Sequence, residues 1–320
     1  FQTNDEFINQ VKGILKKAAG EYSQTISQSS LQLEMLSEDS IKDGLPINSD
    51  FYSEFLNSVG AEMTNNHKSN IALNDVYTPL DFHIIDDGQE DADDFIDAEV
   101  INSATIVKFD NASTTKIILA GDESSGKTTF CKRIFLDFYK EGNVPVYIKG
   151  EDIKNANVTS FIKLVEKSFS EQYTVDGLPR FRSMDKFKKI LIIDDFDDCK
   201  LNDKYKILLL TELDKKFGNI LVTADTLFLF NANVSFPKEF SKISHFNTFK
   251  IKDIGHKLRD ELIRKWVVAG REESISEQET YSITEKYRHV IDNVLGTNYV
   301  PRKPFIILVL LQALQSGSAN

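Results

Sequence analysis

The 320-residue sequence predicts an α/β protein. The expected core is a doubly wound, mostly parallel five-stranded sheet, preceded by an irregular, mainly helical region and followed by an all-helical one. Three observations carry this. Short apolar runs alternate with amphipathic stretches of helical period, the signature of a parallel sheet crossed by helices. The first of these runs enters Gly-x4-Gly-Lys-Thr directly. A later one ends in a row of carboxylates.

Taken in order, residues 1–37 read as one or two helices, with Phe7, Ile8, Val11, Ile14 and Leu15 at helical spacing and a second apolar set at Leu31, Leu33 and Leu36. Periodicity then fades to about Tyr77. The run Asp86–Asp94 reads as a solvated acidic loop, since it lacks the residue order of a calcium loop. Residues 95–100 suggest a short helix, and 104–108 an extra strand. Strands are expected at 116–120, 144–148, 190–193, 220–222 and 246–251. Helices are expected after the glycine-rich loop (Phe130, Ile134, Phe135, Phe138 on one face), at 158–173 and at 208–217. Beyond them lie only helices, near 256–269, 275–294 and 303–315. Trp266, four residues from Leu262, belongs to the core. The expected domains are 1–94, 95–252 and 253–320.

The stretch Gly121-Asp-Glu-Ser-Ser-Gly-Lys-Thr-Thr129 links strand to helix. Phosphates carry several negative charges, and a tight loop of N–H groups at a helix N-terminus supplies donors and a positive dipole together. Gly121 and Gly126 permit the sharp turn. Asp122, Glu123, Ser124, Ser125, Lys127, Thr128 and Thr129 complete the candidate cradle. Lys127 is placed to reach the β- and γ-phosphates, and the Thr128 hydroxyl to ligate Mg²⁺. The second motif follows the strand Ile190–Ile193 as Asp194-Asp195-Phe196-Asp197-Asp198, one strand–helix pair later. Asp194, ending its strand, is expected beside the loop, directing Mg²⁺. A further acid would orient or deprotonate an attacking water.

This second motif resembles that of NACHT-type NTPases in the STAND class of signalling P-loop ATPases. There an apolar strand leads to Asp, a small residue, an apolar residue and two acids. Asp194 matches the Mg²⁺-directing acid, and Asp197 and Asp198 match the acidic pair. Asp195 replaces the small residue. Asp198 is one methylene shorter than the common Glu, which points to slow hydrolysis. Asn219–Asp225 stands where that family carries its sensor strand, with Ala224 and Asp225 in place of the frequent arginine. The helical tail resembles the domain that packs on the nucleotide, and Pro304 matches the proline that meets adenine better than Pro301 does. The resemblance implies ATP or ADP with Mg²⁺, a switch that forms homo-oligomers on an unknown protein trigger, and, in bacteria, antiviral defence. Its alternative is a turnover ATPase doing mechanical or chemical work. Arg259, Arg264 and Arg302 are arginine-finger candidates that spacing does not separate.

Composition narrows the classes. Net charge is −11, which argues against a dedicated nucleic-acid binder or helicase. Residues 1–115 hold 21 acidic and 6 basic side chains, leaving 28 and 32 for the remainder. No apolar run approaches a membrane span, and no secretory signal is visible. Cys131 and Cys199 lack metal-ligand spacing and read as small apolar side chains in a reducing, cytoplasmic setting. The start at Phe1 and the polar end suggest a fragment of a longer protein.

Overall fold

The computed structural model describes residues 45–85, 100–106, 114–174, 177–296 and 300–317. The readings made for residues 1–37, for the acidic run 86–94 and for 95–99 of the expected short helix lie outside them, and Val100, expected to end that helix, begins a strand. Seven strands form one sheet: β1 (Asp81–Ile85), β2 (Val100–Asn102), β3 (Lys116–Ala120), β4 (Val144–Lys149), β5 (Lys189–Asp194), β6 (Asn219–Ala224) and β7 (Asn247–Ile251), in the order β2-β1-β7-β3-β6-β5-β4. The five expected strands are the parallel ones. Four of them, β3 to β6, carry largely apolar, buried sequence as strands covered on both faces do, with β3 buried at every position. The fifth, β7, is mixed and buries Phe249 and Ile251.

The other two strands are antiparallel. β1 pairs with β7, Phe82 opposite Ile251, and β2 pairs with β1. The extra strand expected at 104–108 is not where it forms. Residues Ser103–Ile106 make a helical turn, and the strand precedes it at Val100–Asn102. Asn102 explains the shift, because its side chain bonds Asp81 and caps the Ala104 N–H, closing the strand and opening the turn.

After β3 the chain crosses through α1 (Lys127–Lys140) to the far edge at β4. It returns through α2 (Val158–Gln172) and α3 (Leu178–Ser183) to β5, and through α4 (Asp203–Lys216) to β6. Helix α5 (Thr226–Ser235) follows, and the chain then passes β3 to lay β7 on its other side. The strand order therefore reverses at β3, which opens a crevice at the carboxyl ends of the strands there. Phe135, Phe138, Phe169 and Phe196 fill the main core. Phe169 stacks on both Tyr173 and Phe181, with centroids 4.7 and 4.4 Å away.

Helices α6 (His256–Val268), α7 (Glu277–Leu295) and α8 (Pro304–Gly317) build a second core around Trp266, Ile263, Ile291, Ile307 and Leu311. Met63, Ile71 and Val76 join it from the N-terminal side. Trp266 is fully buried, as its spacing from Leu262 predicts. Arg259 is also buried and pairs with Asp292, tying α6 to α7. No helix among the described residues is long and apolar enough to cross a membrane.

Candidate functional site

The loop Gly121–Gly126 leaves β3 and closes onto α1. Ser124 and Gly126 take left-handed backbone conformations, at φ 59° and 108°. Glycine is required at 126 twice over, since a Cβ there would also lie 2.8 Å from Leu80 Cδ1. Ser125 is buried, and its hydroxyl has no hydrogen-bond partner among the described residues. The first turn of α1 leaves N–H groups without intrahelical acceptors in the same place. A buried hydroxyl short of a partner beside such donors fits a bound phosphate, because an unmade buried hydrogen bond is costly.

Lys127 curls back over the loop. Its ammonium donates to the carbonyls of Gly121 at 2.8 Å and Asp122 at 3.3 Å, and stands 3.4 Å from Asp195 Oδ1. Asp195 shapes the turn between the acids through its backbone. It is left-handed, φ 49° and ψ 57°, a conformation costly for most residues and open to Asp, Asn and Gly. Gly150, at the end of β4, meets it closely, and a Cβ on Gly150 would fall 1.9 Å from the Asp195 carbonyl oxygen. Burial, and then the neighbouring Asp194 charge, push the Asp195 carboxyl up to about 6.

Asp194 is buried and held from three sides. Thr223 Oγ1 donates to its Oδ1 at 2.6 Å, Tyr147 Oη to its Oδ2 at 2.8 Å, and Cys131 Sγ lies 3.5 Å away. Thr223 also accepts the Asp195 N–H at 2.9 Å, so one hydroxyl of β6 fixes both acids of β5. Burial, followed by the Asp194 charge, drives the Tyr147 hydroxyl and the Cys131 thiol up, which keeps both protonated as donors. Asp197 Oδ1 accepts the Asp225 N–H at 3.0 Å, and Lys206 braces the Asp197 carbonyl at 2.7 Å. Asp198 is exposed.

Two cavities meet here. The larger, about 660 Å³, is bordered by loop residues Asp122 to Thr129, by Asp195, Asp197, Asp198 and Asp225, and by Pro304 and Phe305 of α8. The smaller, about 470 Å³, is bordered by Thr128, Asp194, Asp195, Asp198, Lys132 and Tyr147. Of the expected site residues, Gly121 lies behind the loop rather than on either wall, and Asp194 fronts only the smaller cavity. Pro304 borders the larger and Pro301 borders neither. No arginine lines either one.

Much of the larger cavity's remaining lining is apolar, and sequence reading missed most of it. Val59, Leu73, Val76, Tyr77 and Leu80 come from one side, and Ile254, Leu262 and Leu308 from the other. Outside the cavity lining, Thr223 gave a sequence signal of its own, a buried polar side chain near the end of the otherwise mostly apolar strand β6. Lys303, just before Pro304, pairs with Asp253 at 2.8 Å and with Asp122 of the loop at 3.3 Å. These carboxylates hold the Lys303 ammonium above its ordinary value despite burial.

The sheet order, the loop after β3 and the acids after β5 are those of a P-loop NTPase fold. No family model and no curated protein matches the sequence. Among solved structures it is similar to Cdc6p from Pyrobaculum aerophilum, at 18% identity and a TM-score of 0.40, covering 64% of this chain and 57% of that one. It is also similar to domain III of the replication initiation protein DnaA from Thermotoga maritima, at 14% and 0.36, covering 64% and 87%. A third is the replication initiator DnaA bound to AMPPCP and single-stranded DNA, at 13% and 0.35, covering 58% and 56%. The matched region thus spans little more than half of the first and third. At these scores the likeness carries no inference about this chain's ligands or partners.

Proposed function

We propose that the chain binds ATP or ADP with Mg²⁺ in the larger cavity and acts as a nucleotide-controlled switch that hydrolyses slowly. One observation carries this reading: the phosphate loop, the acids and the start of α8 border a single cavity whose lining also includes apolar side chains from both sides of the sequence. A nucleotide lying along it would touch the sheet and the helical region together. Only a ligand with different affinities for two arrangements can shift their populations, and such a bridging ligand can.

In this reading Lys127 moves from Asp195 to the phosphates, the Ser125 hydroxyl and the loop N–H groups complete their cradle, and Pro304 meets the base. Thr128 would hold Mg²⁺ and Asp194 would orient its water. A metal held by these residues would supply charge neutralisation at the phosphates. Asp198, exposed, is the better placed of the two acids to orient the attacking water, because Asp197 already serves the Asp225 N–H. The resemblance to NACHT-type switches supports triggered homo-oligomerisation and a role in antiviral defence.

Equilibrium binding tests the first part. Lys127→Ala abolishes ATP–Mg²⁺ binding, and full affinity in that variant would refute the site. Asp198→Ala keeps ATP binding and slows hydrolysis, and loss at Asp197→Ala instead would move the role to that neighbour. Sustained turnover by the wild type above about one per second would sink the switch reading, since working enzymes have a median near 10 per second.

A further inference from the structure

Lys132 lies five residues beyond Lys127 on α1 and is 95% buried, with 5% of its surface exposed. No carboxylate stands within ion-pair distance of it among the described residues. Its ammonium instead donates to the Ser58 carbonyl at 2.9 Å and sits 4.6 Å from the centroid of the Phe55 ring. Burial lowers its pKa. An apolar side chain of similar length would fill this place without desolvating a charge. The contact to Ser58 is what an apolar side chain could not make.

Ser58 leads directly to the apolar lining of the larger cavity. It pairs in an antiparallel bridge with Ala72. Its neighbour Asn57 accepts the Leu73 N–H at 2.7 Å on its carbonyl and the Asn74 N–H at 3.2 Å on its side chain. Val59, Leu73 and Val76, on either side of this bridge, border the cavity. The next residue of α1 acts on the same wall. The Arg133 guanidinium lies 5.2 Å from the Tyr77 ring centroid, steadied by Asp137 at 2.8 Å. The helix that begins with Lys127 and Thr128 therefore also holds this segment at two points, Ser58 and Tyr77.

We propose that Lys132 and Arg133 are positioning residues that hold the 55–77 segment against α1 and so build the wall that receives the nucleoside half of the ligand. This rests on the nucleotide reading above and deepens it. The phosphates are held by the loop itself, so loss of either grip weakens the nucleoside contribution more than the phosphate contribution.

The test compares ATP with inorganic tripolyphosphate, each with Mg²⁺, on the purified chain. Lys132→Met, which also removes a cation from the wall of the smaller cavity, lowers ATP affinity about tenfold, the order expected for one lost hydrogen bond to a charged group. It lowers tripolyphosphate affinity by clearly less, so that the ATP-to-tripolyphosphate ratio falls. Lys132→Arg, which can still reach the Ser58 carbonyl, restores the ATP-to-tripolyphosphate ratio. Arg133→Met, at a partly exposed position, shifts the ratio the same way by a few-fold and carries the test alone if Lys132→Met does not fold. An unchanged ratio in Arg133→Met and in any folded Lys132→Met overturns the proposal. So does an equal loss of both ligands, which would mean the loop had loosened. A wild type that binds neither ligand would instead overturn the nucleotide reading, and the Lys127→Ala variant, which loses both, marks that outcome.

Discussion

Replacing Asp195 with Asn isolates the most strained carboxylate of the site. The amide keeps the shape and tolerates the left-handed backbone at φ 49°. It removes a charge that burial and Asp194 disfavour, while giving up the 3.4 Å pair with Lys127. A carboxyl raised from 3.8 to about 6 represents about 3 kcal/mol of disfavoured ionisation. Because 42% of the side chain is exposed, solvent screening reduces this to about 1 kcal/mol. The folded protein holds this proton more tightly than the unfolded chain. Wild-type stability from this group is therefore present at low pH and is lost as pH rises from 3.8 through about 6. Urea unfolding of both proteins, without nucleotide, reads the difference. Asp195→Asn should match wild type near pH 4 and exceed it by about 1 kcal/mol at pH 8. The variant should also bind ATP a few-fold more tightly, since Lys127 no longer leaves an acid to meet a phosphate. Parallel stability curves across this range would refute the reasoning, and so would a variant clearly less stable at pH 8, which would mean the Lys127 pair outweighs the repulsion.

Three further outcomes follow from the same geometry. Thr223→Val removes the 2.6 Å donor to the buried Asp194 Oδ1 and leaves the Asp195 N–H without its acceptor, and should cost about 2–4 kcal/mol in denaturant unfolding, where a loss under about 0.5 would contradict the bridging role. Gly150→Ala places a Cβ 1.9 Å from the Asp195 carbonyl oxygen. Since backbone must move, it should destabilise by about 2–4 kcal/mol and weaken ATP binding, and near-wild-type behaviour would show the approach to be slack. Trp266→Ala empties the centre of the second core and should cost about 3–5 kcal/mol by thermal or urea unfolding. A cost below about 1 kcal/mol would mean that this core can collapse around the gap.

Four of the parallel strands were legible because strands covered on both faces carry nearly continuous apolar runs, as Ile190–Ile193 does, and β7 showed as a shorter mixed stretch. The edge strands β1 and β2 were not legible. Asp-Phe-His-Ile-Ile and Val-Ile-Asn lack that pattern, and their pairing depends on β7 offering a free edge far along the chain. The helix 226–235 was also silent, because exposed Leu227, Phe230 and Val234 blur its amphipathic period.

By itself the sequence determined the phosphate loop, the acids after β5 and the alternation that sets them at one end of a sheet. Those are local facts: a glycine spacing, a strand ending, a helical period. Only the tertiary structure decided which acid faces which group. It turned Asp194 inward to Thr223 and Tyr147, set Asp195 against Lys127, and left Asp198 exposed. The left-handed Asp195 turns the chain between them, and Gly150, just after β4, leaves room for its carbonyl. The apolar lining of the cavity is likewise tertiary. Its walls come from residues 59–80 and 254–308, which no periodicity connects and which only the packing around α1 and Trp266 brings to the loop.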